Sequence, residues 1–172
     1  MHINTAQAIA SALGQAQRIV IFTGAGMSAE SGIATFRGLA SSHWQQFNPQ
    51  ELASPDGWQA NKQRVWAWYE GRRAQVMDAQ PHAGHLAIAQ LAERLQHLHG
   101  RVVQVDVVTQ NVDNLHERAG SAHVTHLHGS LFAPRCAACA RPGAFASGEP
   151  NLKLMHLKPP RCLHCGGYIR PG

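Results

Sequence analysis

No apolar run in the 172 residues approaches the ~20 that a membrane-crossing helix needs. The opening stretch, MHINTAQAIASALGQAQ, lacks the basic segment followed by an apolar one that directs secretion, so the protein is expected to be cytoplasmic and without a membrane partner. Internal repeats and low-complexity tracts are absent as well. Charged residues reach only 15% against 44% apolar, which excludes a disordered chain and fits one globular domain, or one with a small module attached. Cysteine is missing everywhere except the tail, where all four stand as two C-x-x-C pairs, Cys136/Cys139 and Cys162/Cys165, with 22 residues between them.

That spacing selects among three uses. A disulfide framework needs an oxidising compartment, for which no targeting signal exists. A redox pair is a single C-x-x-C at a helix start, not two pairs in Gly/Pro-rich loops. Two such knuckles about 20 residues apart instead bring four sulfurs within reach of one Zn²⁺. Four protein ligands leave no open position, so the metal is expected to be structural. His164, inside the second knuckle, is an alternative ligand; a solvent-facing turn residue is the preferred reading.

The net charge of +5 also sits in the tail, where residues 135–172 hold six Lys/Arg against Glu149 alone. Four thiolates on one Zn²⁺ lower that segment to about +3, which argues against a nucleic-acid footprint and for a solvated surface.

Alternating patterns predict an α/β architecture. Residues 3–16 read as a helix, Ile19 to Phe22 as a buried strand entering a glycine turn, and residues 29–60 as a long ordered loop with short helices. Residues 61–79 and 82–99 read as helices, the second begun by Pro81 and carrying Ile88, Leu91, Leu95 and Leu98 at helical spacing. A strand over 101–110, a short helix closed by Gly120 and a strand over 124–130 ending near His128 complete the pattern. The expectation is a Rossmann-like doubly wound parallel sheet (incomplete) over 1–134, with a helical insertion near 39–80 and a four-cysteine zinc-binding module over 135–172.

The turn after the first strand, Gly24-x-Gly26-x-x-Ala29, suits close approach of a pyrophosphate to backbone. The acid usually found about 20 residues later is missing: residues 41–50 carry none, which disfavours hydride transfer. Arg37 and Phe36 offer a phosphate partner and a ribose cover, or equally a surface Arg beside a tight turn. Gln110, Asn111 and Asp113 follow the second strand and face the same crevice, as nucleotide-binding groups or as helix caps. His128 is a candidate base by position, though with 12 histidines a surface or satisfied core role competes.

GAGMSAESGIATFRG (24–38), TQNVDNLHERAG (109–120), HLHGS (126–130) and the paired cysteines, in this order and spacing, resemble the sirtuin family of NAD-dependent protein-lysine deacylases. Departures are mild: Met27 and Val112 where Ile is usual, Ala34 where Pro is usual. The resemblance implies an NAD site at Gly24, Ala25, Gly26, Met27, Ser28, Thr35, Phe36, Arg37 and Gln110. It implies a nicotinamide pocket shaped by Asn111 and Asp113, and His128 as general base. The implied reaction is attack of a substrate's acyl oxygen on the ribose C1′ with loss of nicotinamide, after which the acyl group ends on ADP-ribose; the partners are acyl-lysine proteins or peptides. Tyr69 and Arg72, one helical turn apart, resemble the pair of the desuccinylase/demalonylase subclass. A phenol and a guanidinium suit a terminal carboxylate, although an amphipathic helix with a snorkelling Arg gives the same pattern, and the resemblance leaves removal of acetyl groups open as well. In the family, further chain after "RP" clamps the peptide and binds adenosine, so the remainder of the Rossmann domain is expected to be absent from these 172 residues. That leaves open a non-catalytic NAD- or partner-binding protein, or a basic zinc-module interaction surface.

Overall fold

Three apolar runs become one parallel sheet, in strand order β1-β2-β3, in the computed structural model, which describes residues 5–33, 48–145 and 156–172. β1 (Arg18–Thr23) pairs with β2 (Gln104–Thr109) from Arg18↔Gln104 to Thr23↔Thr109, and β2 with β3 (Val124–His126) from Val107↔Val124 to Thr109↔His126. This register fixes the site. Thr23, Thr109 and His126 end level with one another, so the segments following all three strands leave from one edge, where parallel sheets place their crevices.

Helices cover the sheet unevenly. α1 (Thr5–Gln15) buries no residue, while α7 (Leu91–His99) sets Leu95 against Ile19 and Val103. β1 lies at an edge of the described sheet, and its Val20 and Phe22 are 58% and 61% exposed. The helix expected over 82–99 is two, α6 (Ala83–Ala89) and α7, meeting at Gln90, whose ψ of −6° departs from helical values. Pro81 stands outside α6. His82 is the N-cap, its ring accepting the Gly84 N–H at 2.9 Å. Of the residues at helical spacing, Leu95 is buried and Leu98 is 75% exposed.

The second core joins two parts of the chain. α3 (Pro49–Leu52), α4 (Pro55–Ala60) and α5 (Lys62–Asp78) supply Leu52, Trp58, Val65, Trp66 and Trp68. Cys136 and Ile169, from the ribbon of β4 (Arg135–Cys136) and β5 (Ile169–Arg170), and Cys162 from the second cysteine pair pack into that same cluster. α5 starts at Asn61, whose side chain accepts the Arg64 N–H at 2.9 Å. It buries four consecutive residues, Val65 to Trp68, and an ion pair, Arg73 to Glu70 at 2.7 Å, with the Arg73 guanidinium over the Phe145 ring. Short α2 (Ala25–Ala29) and α8 (Leu115–Arg118) follow β1 and β2.

Candidate functional site

At the sheet edge the strand ends are tied by side chains. Thr23 Oγ1 donates to Thr109 Oγ1 at 2.9 Å, and Thr109 Oγ1 also accepts the Asn111 N–H. Thr23 Oγ1 therefore accepts from His116 Nε2–H at 3.1 Å, which fixes that ring's tautomer.

A second set of bonds braces the glycine turn. Asn111 Nδ2 donates to the Gly24 carbonyl (2.9 Å) and to Ser28 Oγ (2.8 Å); Ser28 Oγ then donates to Asp113 Oδ2 at 2.6 Å. Asp113 Oδ1 takes the Leu115 N–H. These bonds give both residues of the loop a bracing role beside their place in the crevice wall. Asn111 and Asp113 are buried and spend most of their polar atoms on protein, holding the turn in place; neither occupies the N-cap of α8, which is Asn114, although Asp113 takes the Leu115 N–H just inside it. Removing the carboxylate in Asp113→Ala leaves two buried donors without acceptors. The expected cost is about 3 kcal/mol in urea unfolding, with Asp113→Asn milder because its amide oxygen still accepts one bond.

The glycines themselves answer no internal packing demand. A Cβ on Gly26 meets nothing within 4 Å, and one on Gly24 only Gln110 Oε1 at 3.6 Å; Gly24 has φ −138°, which any residue adopts. What they leave is a bare backbone on either side of Ala25, which lines the crevice. There a cavity of about 480 Å³ is lined by Ala25, Ser28, Gln110, Asn111, Asp113 and His128 on one side and by Trp68, Tyr69 and Arg72 on the other. The structure thus brings together most of the residues expected from sequence. Met27 stands beside the cavity, its carbonyl held by His82 Nε2–H at 2.7 Å. Thr35, Phe36 and Arg37 lie outside the described residues. His128 is exposed and sits two residues past β3, not at its end, because pairing with β2 stops at His126.

Burial shapes the far wall. It pushes the Tyr69 phenol above its ordinary value, against the pull of Arg72 and Arg170, and draws Arg72 down, against Tyr69 and Asp113. The Arg72 guanidinium lies 5.2 Å from the Trp68 ring centroid. Even lowered, an arginine remains a cation at neutral pH.

Sequence reasoning missed a run of histidines behind the turn. The His82 and His85 rings lie 4.3 Å apart, and those of His85 and His116 4.9 Å. His85 is fully buried, and burial, then His116 and His82, lower its pKa to about 4. The unfolded chain protonates this group near 6.5, so below that pH the unfolded state binds the extra proton and stability falls. The expected loss is at most about 1.4 kcal/mol per pH unit from 6.5 down to 4. Urea unfolding at pH 7, 5.5 and 4.5 reads it, and His85→Gln flattens the slope. His126 is the opposite case: Nδ1–H donates to the Asn111 carbonyl and Nε2–H to Glu117, each at 2.7 Å, and the Glu117 bond raises its pKa.

The cysteines converge from two matching knuckles. Ala140 N–H bonds the Cys136 carbonyl at 3.0 Å, and Gly166 N–H the Cys162 carbonyl at 2.9 Å. Both Ala140 (φ 58°) and Gly166 (φ 73°) are left-handed, so each loop turns back on itself directly after its second cysteine. The sulfurs all lie within 4.8 Å of one another, with Cys136–Cys165 at 3.5 Å and Cys139–Cys162 at 3.8 Å. Tetrahedral Zn²⁺ with bonds of ~2.3 Å needs edges of about 3.8 Å, so the donor set fits that ion. A Cβ on Gly167 would stand 3.1 Å from Cys136 Sγ and 2.9 Å from the Ala138 Cβ, so glycine is needed there. The backbone N–H of Cys139 helps pull the Cys136 thiol down to about 6. His164 is exposed, and its ring contacts Arg141 while its backbone N–H bonds Cys162.

Residues 24–172 match the family model described as Sir2 family. The chain belongs to the Sir2 family. Among Sir2 relatives, NAD-dependent protein deacylase 1 of Pseudomonas aeruginosa is 49% identical over 169 residues, covering 96% of this chain and 64% of that protein. A solved Sir2 homologue in complex with NAD aligns with TM-score 0.78 at 40% identity, over 99% of this chain and 61% of its own. Another, a mutant bound to 2′-O-acetyl ADP-ribose, aligns at TM-score 0.77 and 40% identity, over 99% and 62%. The chain therefore spans less than two thirds of the length of these Sir2 relatives.

Proposed function

We propose that this chain carries the reacting centre of an NAD-dependent protein-lysine deacylase with a structural zinc, acting on acyl-lysine proteins in the cytoplasm. The observation that carries this reading is the convergence, around one 480 Å³ cavity, of an open glycine turn, its Asn111–Ser28–Asp113 brace, an exposed histidine and a Tyr/Arg pair. Bound there, NAD supplies an electrophilic ribose carbon with nicotinamide as leaving group. The open backbone at Gly24, Ala25 and Gly26 admits phosphate oxygens without a side chain intervening. The buried brace holds that backbone in advance, so little order is lost on binding. Gln110 at the rim offers an amide to ribose hydroxyls. His128, on the rim and open to water, is placed to take a proton from a hydroxyl near neutral pH. With all four thiolates on one ion, no zinc position remains for water, so Cys136, Cys139, Cys162 and Cys165 serve the fold.

The Tyr69/Arg72 wall supports succinyl or malonyl as the preferred acyl group, with acetyl a poorer substrate: a partly desolvated guanidinium beside a phenol O–H offers a terminal carboxylate two charge-assisted donors, while acetyl engages neither. The test is removal of succinyl and acetyl from one lysine peptide by zinc-loaded protein, with and without NAD, followed by mass spectrometry. Turnover is expected only with NAD, and faster for succinyl. Arg72→Met should lower succinyl over acetyl selectivity by roughly 10–100-fold. NAD-independent turnover would contradict the reading, and unchanged selectivity in the variant would remove Arg72 from it.

A further inference from the structure

A second cavity, of about 620 Å³, adjoins the first and shares Ala53, Tyr69 and His128 with it. Its walls mix apolar side chains, among them Leu52, Trp58 and Leu127, with Arg135 and Arg170, and no Asp or Glu among the described residues lines it. The two arginines are not there by separate accidents. They are direct partners across the β4–β5 ribbon, in the register Arg135↔Arg170, and opposed residues of an antiparallel pair point to the same face. Like charges set opposite one another on a two-stranded ribbon repel and weaken it. Neither forms an ion pair among the described residues; Arg170 reaches only the Pro171 carbonyl, at 3.3 Å. A repulsive pair facing a groove whose described lining holds no acid is the arrangement of an anion receptor, and two forked guanidiniums match a carboxylate.

Where the groove lies decides what brings that carboxylate. Its rim runs through His128 and Tyr69, so an extended peptide whose lysine chain enters the first cavity lays neighbouring residues along the second. Arg170 is near enough to act electrostatically on Tyr69, which places its charge at the junction. Resting on the deacylase reading above, we infer that the Arg135/Arg170 pair selects acyl-lysine sites with an Asp or Glu close to the modified lysine. Acidic flanks are thus a specificity element read by the cysteine-bearing ribbon, separate from recognition of the acyl group by Tyr69 and Arg72.

The experiment is fluorescence anisotropy with zinc-loaded full chain and four labelled peptides: succinyl-lysine or unmodified lysine, each flanked by Glu or by Gln. Glu flanks should tighten binding about fivefold, an advantage that shrinks as salt is raised. Arg135→Gln with Arg170→Gln should abolish the advantage while leaving the Gln-flanked succinyl peptide unchanged. The matching Lys substitutions, which keep the charge, should retain most of it and show that the ribbon tolerates replacement. Equal binding of Glu- and Gln-flanked peptides overturns the inference and leaves the deacylase reading standing. An advantage that survives in the double Gln variant also overturns it, by assigning the anion to another cation. If saturating NAD erases the advantage, the pair serves a dinucleotide phosphate and the inference falls. Glu-dependent binding indifferent to the succinyl group keeps the receptor and removes the deacylase reading.

Discussion

Zinc-free protein, prepared by chelation or by Cys136→Ala, is expected to lose the fold of residues 135–172 and to melt at least about 10 °C below the loaded form. The magnitude follows from where the ligands lie. Cys136 and Cys162 are 1% and 6% exposed and belong to the same cluster as Val65, Trp66, Trp68 and Ile169. Without metal, four thiols at 3.5–3.8 Å contacts offer one another only weak hydrogen bonds. The left-handed Ala140 is then held only by its N–H bond to the Cys136 carbonyl. Structural zinc in small domains contributes about 10 kcal/mol or more of apparent binding energy. Losing even about 4 kcal/mol of that from a domain of this size gives the stated shift. Tyr69 packs against the same cluster, so the wall of the first cavity should loosen too. Calorimetry with metal analysis, and near-ultraviolet circular dichroism of the tryptophans, check both parts. An unchanged melting point in protein shown to be zinc-free would mean that the cysteines hold no structural ion.

Local signals were the ones that could be read without coordinates. An apolar run meeting Gly24, or two C-x-x-C knuckles, encode their geometry in a few adjacent residues, and the strands and metal cluster follow. α5 is less legible because it buries Val65 to Trp68 in succession: a helix enclosed on several sides has no single apolar stripe, and its union with the cysteines joins residues about 70 positions apart. Asn111 and Asp113 show the limit most clearly. Their spacing fits capping and ligand contact equally, and only Ser28, 85 positions from Asp113, decides that they brace the turn. His85 carries no signal among 12 histidines until His82 and His116 are seen around it. The break at Gln90 was hidden because glutamine is an ordinary helix residue.

The second large effect belongs to His128. Its side chain is exposed and lines both cavities, so His128→Ala should change stability by no more than about 0.5 kcal/mol. If it is the base of the reaction, the same change should lower turnover by about 10²–10⁴-fold. That separation marks a residue acting in the reaction and not in the fold.

Nicotinamide release from NAD, followed in zinc-loaded protein with and without a succinyl-lysine peptide, with NAD binding measured in parallel, tests the central claim most directly. The account predicts release only when the acylated peptide is present, one nicotinamide for each acyl group lost, and a fall of at least about 100-fold in His128→Ala with NAD binding kept. Release indifferent to the peptide, or to the loss of His128, would contradict it.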